Sequence, residues 1–170
     1  MSVTVEDGSI VTGANSYVSR ADYIAYALTL GVVIADDATA DAQLIKAAEF
    51  IDRHAANLKG WTVERDQPMQ FPRSGVYIDD WYWDSDEIPR QVVLCQMAFA
   101  LDINDGIDLY NRPQNPGIGV KSKRVEGVVT VEYAVGDGTG QKLTRSSTGD
   151  ALLASLLNRS GLSCIENVRS

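Results

Sequence analysis

The stretch from Pro89 to Asp105 constrains the fold of this chain more than any other, because its apolar residues cover most of a helical circumference. A helix of this kind is packed on several sides, which places it at the centre of the fold. Proline is well tolerated in the first turn of a helix, and Gly106 follows the last turn. The apolar residues are Val92, Val93, Leu94, Met97, Ala98, Phe99, Ala100, Leu101 and Ile103. Other helices must therefore surround this one.

Two further helices are predicted before it. Ser19 and Asp22 form a capping box before a helix that reaches Leu30 and ends at Gly31. We expect its buried side to hold Tyr23, Ile24, Ala27 and Leu28. Acidic residues within 36–41 favour the start of a second, amphipathic helix that extends to Gly60. Its apolar residues are Leu44, Ala48, Ile51, Ala55 and Leu58.

The chain changes character after residue 106. Alternation in residues 118–136 predicts a β-hairpin that turns near Glu126 and Gly127. An isolated two-stranded hairpin is marginal in water, so it either packs on the helices or joins strands of a neighbouring chain. Ser147 and Asp150 form a second capping box before a short helix over residues 147–160.

Together these patterns predict a single, mainly α domain over residues 1–170. Its helical core is a small bundle of about four helices, in residues 1–106 and 147–160. An aromatic loop (61–88) lies within the core, the hairpin (118–136) is inserted as an arm, and an extended tail (161–170) follows.

Charge and composition exclude several classes of protein. The formal net charge is -8, which argues against a sequence-independent binder of duplex DNA, since that function needs massed Lys and Arg. No apolar run approaches the ~18 residues of a membrane span, and the N-terminus lacks a signal-peptide pattern. Cys95 and Cys164 are expected to be free thiols in a reducing cytoplasm.

An enzyme is not expected, and neither is a cofactor or a metal. His54 is the single histidine, so a multi-histidine site is excluded and a packing role is predicted. Cys95 lies in an apolar helix, where thiols are usually inert. The glycines at 136, 138 and 140 match no phosphate-binding motif.

Five acidic residues between 79 and 87 form a cluster without the spacing of a calcium loop. A solvated surface, or a set of partners for arginines of another subunit, is the preferred interpretation. A metal-dependent enzyme built on this cluster is the third and weakest alternative. The five residues are Asp79, Asp80, Asp84, Asp86 and Glu87.

One basic cluster stands out. Lys121, Lys123 and Arg124 precede Tyr133 in the predicted hairpin. Cations beside an aromatic ring are the combination that binds single-stranded DNA. The alternatives are an edge strand that charge protects against aggregation, and a subunit contact.

Five segments carry a resemblance to a known group of proteins: "TVEDGSIVTGANSYVSRADYIAYA", "AAEFIDR" followed by Trp61, "QPMQFPRSGV", "DEIPRQV" and "VEGVVTVEYA". From Thr4 to about Ala134 the chain resembles small tailed-bacteriophage proteins labelled DnaT-like single-stranded-DNA-binding proteins. The order of helices and hairpin is similar to that of the head-to-tail adaptor, or head-completion, family of phage neck proteins.

The resemblance implies a structural virion protein, a head-to-tail connector located in the virion neck after assembly in the host cytoplasm. It would form a homo-oligomeric ring, expected to be dodecameric, that binds the portal protein and receives the tail or a stopper. Genomic DNA would be passing cargo only, and an acidic channel would repel its phosphates. The alternative is a DnaT-like replication protein that binds single-stranded DNA through Lys121, Lys123, Arg124 and Tyr133.

The resemblance also implies roles for individual residues. Gln67, Pro68, Phe71, Pro72 and Arg73 match a family motif in which tryptophan is common at the position of Phe71. With Trp61, the residues Phe71, Pro72 and Arg73 are interpreted as a structural lid over the helices. The expected subunit or partner interface comprises Trp81, Tyr82, Trp83, Lys121, Lys123, Arg124, Val129, Val131 and Tyr133.

Overall fold

The computed structural model describes residues 2–110, 118–126, 128–135 and 147–158. Its helices are α1 (Arg20–Thr29), α2 (Asp37–Asp52), α3 (Arg90–Asn104) and α4 (Ser147–Leu156), with a short 3-10 helix at Ala55–Asn57. Its strands are β1 (Trp61–Thr62), β2 (Arg73–Ser74), β3 (Val76–Ile78), β4 (Trp81–Trp83), β5 (Ile118–Glu126) and β6 (Val128–Val135). The prediction of a mainly α fold with an inserted hairpin is confirmed. Within the described ranges, no helix has the length and apolarity needed to cross a membrane.

Helix α3 occupies the centre of the helical core. It packs against both α2 and α4, and Val92, Cys95 and Phe99 have no exposed surface. Pro89 forms its N-cap in an extended conformation, so the missing N–H of proline costs the helix nothing. Such burial on several sides is what the apolar circumference of this segment predicts.

Helix α1 begins at the predicted cap, and α2 begins within the predicted acidic stretch. The Ser19 side chain accepts a hydrogen bond from the Asp22 N–H, and the Asp36 carboxylate accepts one from the Thr39 N–H. One predicted core position is wrong: Leu28 is 57% exposed, because it lies on the outer side of α1. Tyr23 and Ala27 are buried, as predicted.

Helix α2 ends at Asp52, not at Gly60 as predicted, and α4 ends at Leu156. The segment that follows α2 contacts the end of α4. Lys59 N–H donates to the Leu156 carbonyl (2.9 Å), and Asn158 N–H donates to the Asn57 carbonyl (2.8 Å). Leu58 remains buried although it lies outside a helix.

The segment over residues 61–88 is not a loop but contains two small antiparallel sheets. In the first, Trp61 pairs with Ser74 and Thr62 with Arg73. In the second, β3 and β4 are joined by the two residues Asp79 and Asp80. The many aromatic side chains of this segment are therefore presented on strands.

The inserted hairpin is formed by β5 and β6, as predicted. It runs antiparallel, with Val125 opposite Val129, and its register shifts between Val120 and Ser122. The chain divides into two compact units, one comprising Met1–Leu109 with Ser146–Ser170 and the other Tyr110–Arg145. The predicted tail (161–170), Cys164 and the glycines at 136, 138 and 140 lie outside the described residues.

Candidate functional site

The N-terminal loop is held by two buried side chains that the sequence did not single out. The carboxylate of Glu6 accepts hydrogen bonds from the backbone N–H groups of Gly8 (3.0 Å), Ile10 (2.9 Å) and Val11 (2.9 Å). Gln96 of α3 donates from Nε2 to Ser16 Oγ and to the Leu44 carbonyl, and its Oε1 accepts from Tyr17 N–H. These bonds tie the loop to the helical core.

The loop also touches the acidic segment after β4. Gly8 has a φ of +107°, and a Cβ at this position would lie 1.9 Å from the carbonyl oxygen of Asp86. Glycine is therefore required here for two reasons, its left-handed backbone and the close approach of another backbone. The contact fixes the position of residues 84–87 against the N-terminal loop.

A buried polar network anchors the family motif around Phe71. The Tyr17 hydroxyl donates to the Asp52 carboxylate and accepts from Phe71 N–H (3.2 Å), while Gln70 N–H donates to Asp52 Oδ2 (3.2 Å). Burial raises the pKa of Asp52 to about 6, and burial beside Asp52 raises the pKa of Tyr17 well above its usual value. The network fixes the strand-bearing segment onto α2.

Arg73 completes this anchor. Its guanidinium donates to the carbonyls of Lys59 (2.9 Å) and Gly60 (2.8 Å) and to Gln70 Oε1 (3.1 Å). Burial lowers the pKa of Arg73, and the nearby Tyr17 and Asp52 oppose that effect. Phe71, Pro72 and Arg73 are all buried, and the Phe71–Pro72 peptide bond is cis.

Trp61 lies outside this buried set, which corrects its predicted place in the lid. Its side chain is 65% exposed. The ring lies over Gly75, where an added Cβ would come within 2.6 Å of Trp61 Cζ3. Trp61 therefore adds to the aromatic surface of this region and does not cover the helices.

Three further exposed rings belong to residues 76–83, which we call the aromatic hairpin. Trp81 is 76% exposed, Tyr77 58% and Tyr82 53%, and the rings of Tyr77 and Tyr82 lie 5.3 Å apart across the strands. Val76 and Ile78 point into the core and are almost completely buried, while Trp83 is partly buried against the same core. Of the three aromatic residues of this segment that were predicted at an interface, Trp81 and Tyr82 are thus on the surface, and Trp83 anchors the hairpin to the core.

A rim of carboxylates surrounds the aromatic hairpin. Asp79 and Asp80 form its turn, and Asp84, Asp86 and Glu87 follow it; all five are exposed. In the part of the chain that the structure describes, no three His, Cys, Asp or Glu side chains are placed to hold a metal ion together. The rim therefore presents negative charge to whatever approaches the rings.

The strands β5 and β6, residues 118–135, form what we call the basic hairpin. Across it, Lys123 pairs with Val131, Arg124 with Thr130 and Tyr133 with Val120, while Lys121 lies at the register shift. Because Tyr133 pairs with Val120, it lies opposite the residue that precedes Lys121.

Charged residues are unevenly distributed along the chain, and the net charge of -8 does not show this. Residues 110–145 contain six Lys and Arg against three Asp and Glu, a net charge of +3. The remainder contains nine Lys and Arg against twenty Asp and Glu, a net charge of -11. A count by unit, in place of a count over the whole chain, is the signal that identifies the basic hairpin as a candidate for binding phosphate.

The other titratable candidates lie within the core. His54 Nδ1 is 2.9 Å from the Phe50 carbonyl, and its ring meets the Phe50 ring edge-on. Cys95 is buried, its Sγ lies 3.6 Å from the Gly149 carbonyl, and burial raises the pKa of its thiol. A thiolate nucleophile is disfavoured in that environment.

Comparison with known proteins identifies one family. The sequence model of a family described as "Putative DnaT-like ssDNA binding protein" matches residues 1–170. No curated protein and no solved structure matches the chain. The predicted main function, a head-to-tail adaptor in the virion neck, is therefore wrong: the matched family is described by DNA binding, and this supports the alternative prediction.

Proposed function

Because the chain belongs to the family of DnaT-like single-stranded-DNA-binding proteins, we propose that it binds single-stranded DNA through its basic hairpin. The observation that carries the proposal is the extent of the family match, which covers all 170 residues and so includes the hairpin. Lys121, Lys123 and Arg124 would bind phosphates, and Tyr133 would stack on a base. Such contacts read no base edges, so binding would be largely independent of sequence.

The acidic charge of the whole chain does not oppose this proposal. At physiological ionic strength the interaction between exposed charges is largely screened beyond about 8 Å. Charges within that distance of a bound strand therefore matter most, and residues 110–145 carry a net charge of +3. The acidic remainder would limit DNA binding to this one element.

The proposed role is to bind single-stranded DNA without catalysing a reaction. Each contact neutralises a phosphate and releases a counterion, so the affinity falls as salt rises, with a slope of about -0.7 per phosphate for single strands. Stacking of a base on an aromatic ring adds about 1–3 kcal/mol. Salt dependence therefore measures the number of cations engaged and is the property to test.

The test measures the fluorescence anisotropy of a labelled oligothymidylate of about 16 nucleotides between about 50 and about 200 mM salt. The double substitution Lys121→Ala with Lys123→Ala should reduce the magnitude of the salt slope by about 1.4 and weaken binding at low salt. The matched control is Arg65→Ala with Arg90→Ala, which removes the same charge from exposed positions outside the basic hairpin.

Equal slopes and affinities for the two double variants would show that the basic hairpin is not the binding element. Absence of any salt-dependent binding by the unsubstituted chain would overturn the proposed function itself.

A further inference from the structure

We propose that the aromatic hairpin of one copy binds the basic hairpin of a second copy and so competes with single-stranded DNA, an inference that rests on the proposed function. The aromatic hairpin carries the two chemical features by which a single strand is bound, flat rings and negative charge. Tyr77, Trp81 and Tyr82 expose their rings, and five exposed carboxylates lie in the same short segment. A surface that accepts bases and phosphates accepts rings and carboxylates by the same contacts.

The aromatic hairpin does not suit DNA itself. Asp79 and Asp80 lie at its turn and Asp84 directly follows Trp83, so a phosphate beside the rings would meet carboxylates at short range. Like charges placed together at an interface cost several kcal/mol. The aromatic hairpin therefore selects a basic partner.

A second copy of the chain supplies that partner. Residues 110–145 have a net charge of +3, and in β5 three of four consecutive residues, 121 to 124, are cationic. Exposed tryptophan and tyrosine beside complementary charge are what protein interfaces concentrate at their centres. Trp81, at 76% exposed, is the ring with the most surface to bury.

The contact is heterologous, since two different surfaces meet, and it shares the basic hairpin with DNA. Self-association and DNA binding therefore exclude each other at any one basic hairpin. In the absence of DNA, the basic hairpin of one copy is covered by the aromatic hairpin of another. Single-stranded DNA binds the basic hairpin and so dissociates the two copies. Both equilibria weaken as salt rises, because both rest on the same cations.

The test uses two charge-reversed variants and sedimentation at low salt. Variant A carries Asp84→Lys and Asp86→Lys next to the aromatic hairpin, and variant B carries Lys121→Glu and Lys123→Glu in the basic hairpin. Each alone should self-associate at least about tenfold more weakly than the unsubstituted chain. Mixed together they should associate, because A retains its basic hairpin and B retains its aromatic hairpin. The control for A is Asp66→Lys with Asp105→Lys, both exposed and outside the segment, which should associate like the unsubstituted chain.

Two DNA measurements separate this inference from the proposed function. An oligothymidylate should dissociate the unsubstituted chain and the A–B mixture, and A alone should bind it at least as tightly as the unsubstituted chain does. Weaker DNA binding by A than by the unsubstituted chain would overturn the inference, since A retains its basic hairpin and lacks the competing contact. A monomeric unsubstituted chain that still binds DNA would overturn the inference and leave the proposed function intact. Association of A with B without any DNA binding would overturn the proposed function and the competition while the contact between copies stands.

Discussion

At the scale of single residues, Asp52 makes stability depend on pH. Its pKa in the folded chain is about 6, raised by burial, whereas an unfolded Asp has a pKa of about 3.9. Between these values the folded state holds more protons than the unfolded state. The free energy of unfolding therefore falls as pH rises through this window. The difference between the two pKa values corresponds to about 3 kcal/mol.

The substitution Asp52→Asn tests this dependence, because the amide oxygen can still accept from the Tyr17 hydroxyl and the group no longer titrates. Urea unfolding of both chains from about pH 4 to about pH 7.5 gives the comparison. We expect the unsubstituted chain to lose stability relative to the variant as pH rises. A difference between the two chains that stays constant with pH would contradict the assigned titration.

Substitutions at Gly8 and Gly13 distinguish the effect of a close backbone contact from the effect of backbone conformation. Both have positive φ, but only at Gly8 would an added Cβ meet another residue, the carbonyl of Asp86. Gly13→Ala should cost about 1 kcal/mol from conformation alone. Gly8→Ala should cost at least about 2 kcal/mol more, because backbone must move. Urea midpoints provide the measurement, and equal losses would show that residues 84–87 do not approach the loop as described.

At the scale of elements, the aromatic hairpin depends on an unusual turn. Asp79 and Asp80 have φ values of 52° and 65°, and two left-handed central residues define a type I′ turn. Such turns suit the twist of short hairpins, but their second position favours glycine. Asp tolerates the left-handed region better than most residues, so the turn forms at a modest cost.

The substitution Asp80→Gly should therefore stabilise the aromatic hairpin by about 0.5–1 kcal/mol. Amide hydrogen exchange over residues 76–83 should slow accordingly. The control is Asp84→Gly, which removes the same charge at a position without positive φ and should not slow exchange. Slower exchange in both variants would attribute the effect to charge and not to the turn.

Prediction from sequence succeeded for elements that local rules define. The cap at Ser19, the acidic start of α2 and the apolar circumference of α3 depend on residues within a turn or two of each other. It failed for β1 to β4, because strands of two or three residues carry too little alternation to be recognised. It also failed for the outer side of α1, where Leu28 is exposed despite its helical spacing.

At the scale of the whole molecule, the distribution of charge along the chain is more informative about function than the net charge. The net charge of -8 fits an acidic channel protein, and that agreement favoured the adaptor interpretation, which the family match overturns. The same total consists of a basic unit and a strongly acidic one. The net charge of the whole chain could not indicate the DNA binding that we propose for one hairpin.

The sequence by itself determined the four helices, the inserted hairpin and the cations that it carries, because periodicity, capping and charge are local properties. Only the tertiary structure decided which polar groups are buried and where elements stop. Asp52 is joined to Tyr17 from 35 positions away, and Gln96 to Ser16 from 80 positions away. Lys59, which follows α2, donates its N–H to the carbonyl of Leu156, the last residue of α4. Hydrogen bonds between distant segments form only after the chain has packed, so no local pattern records them.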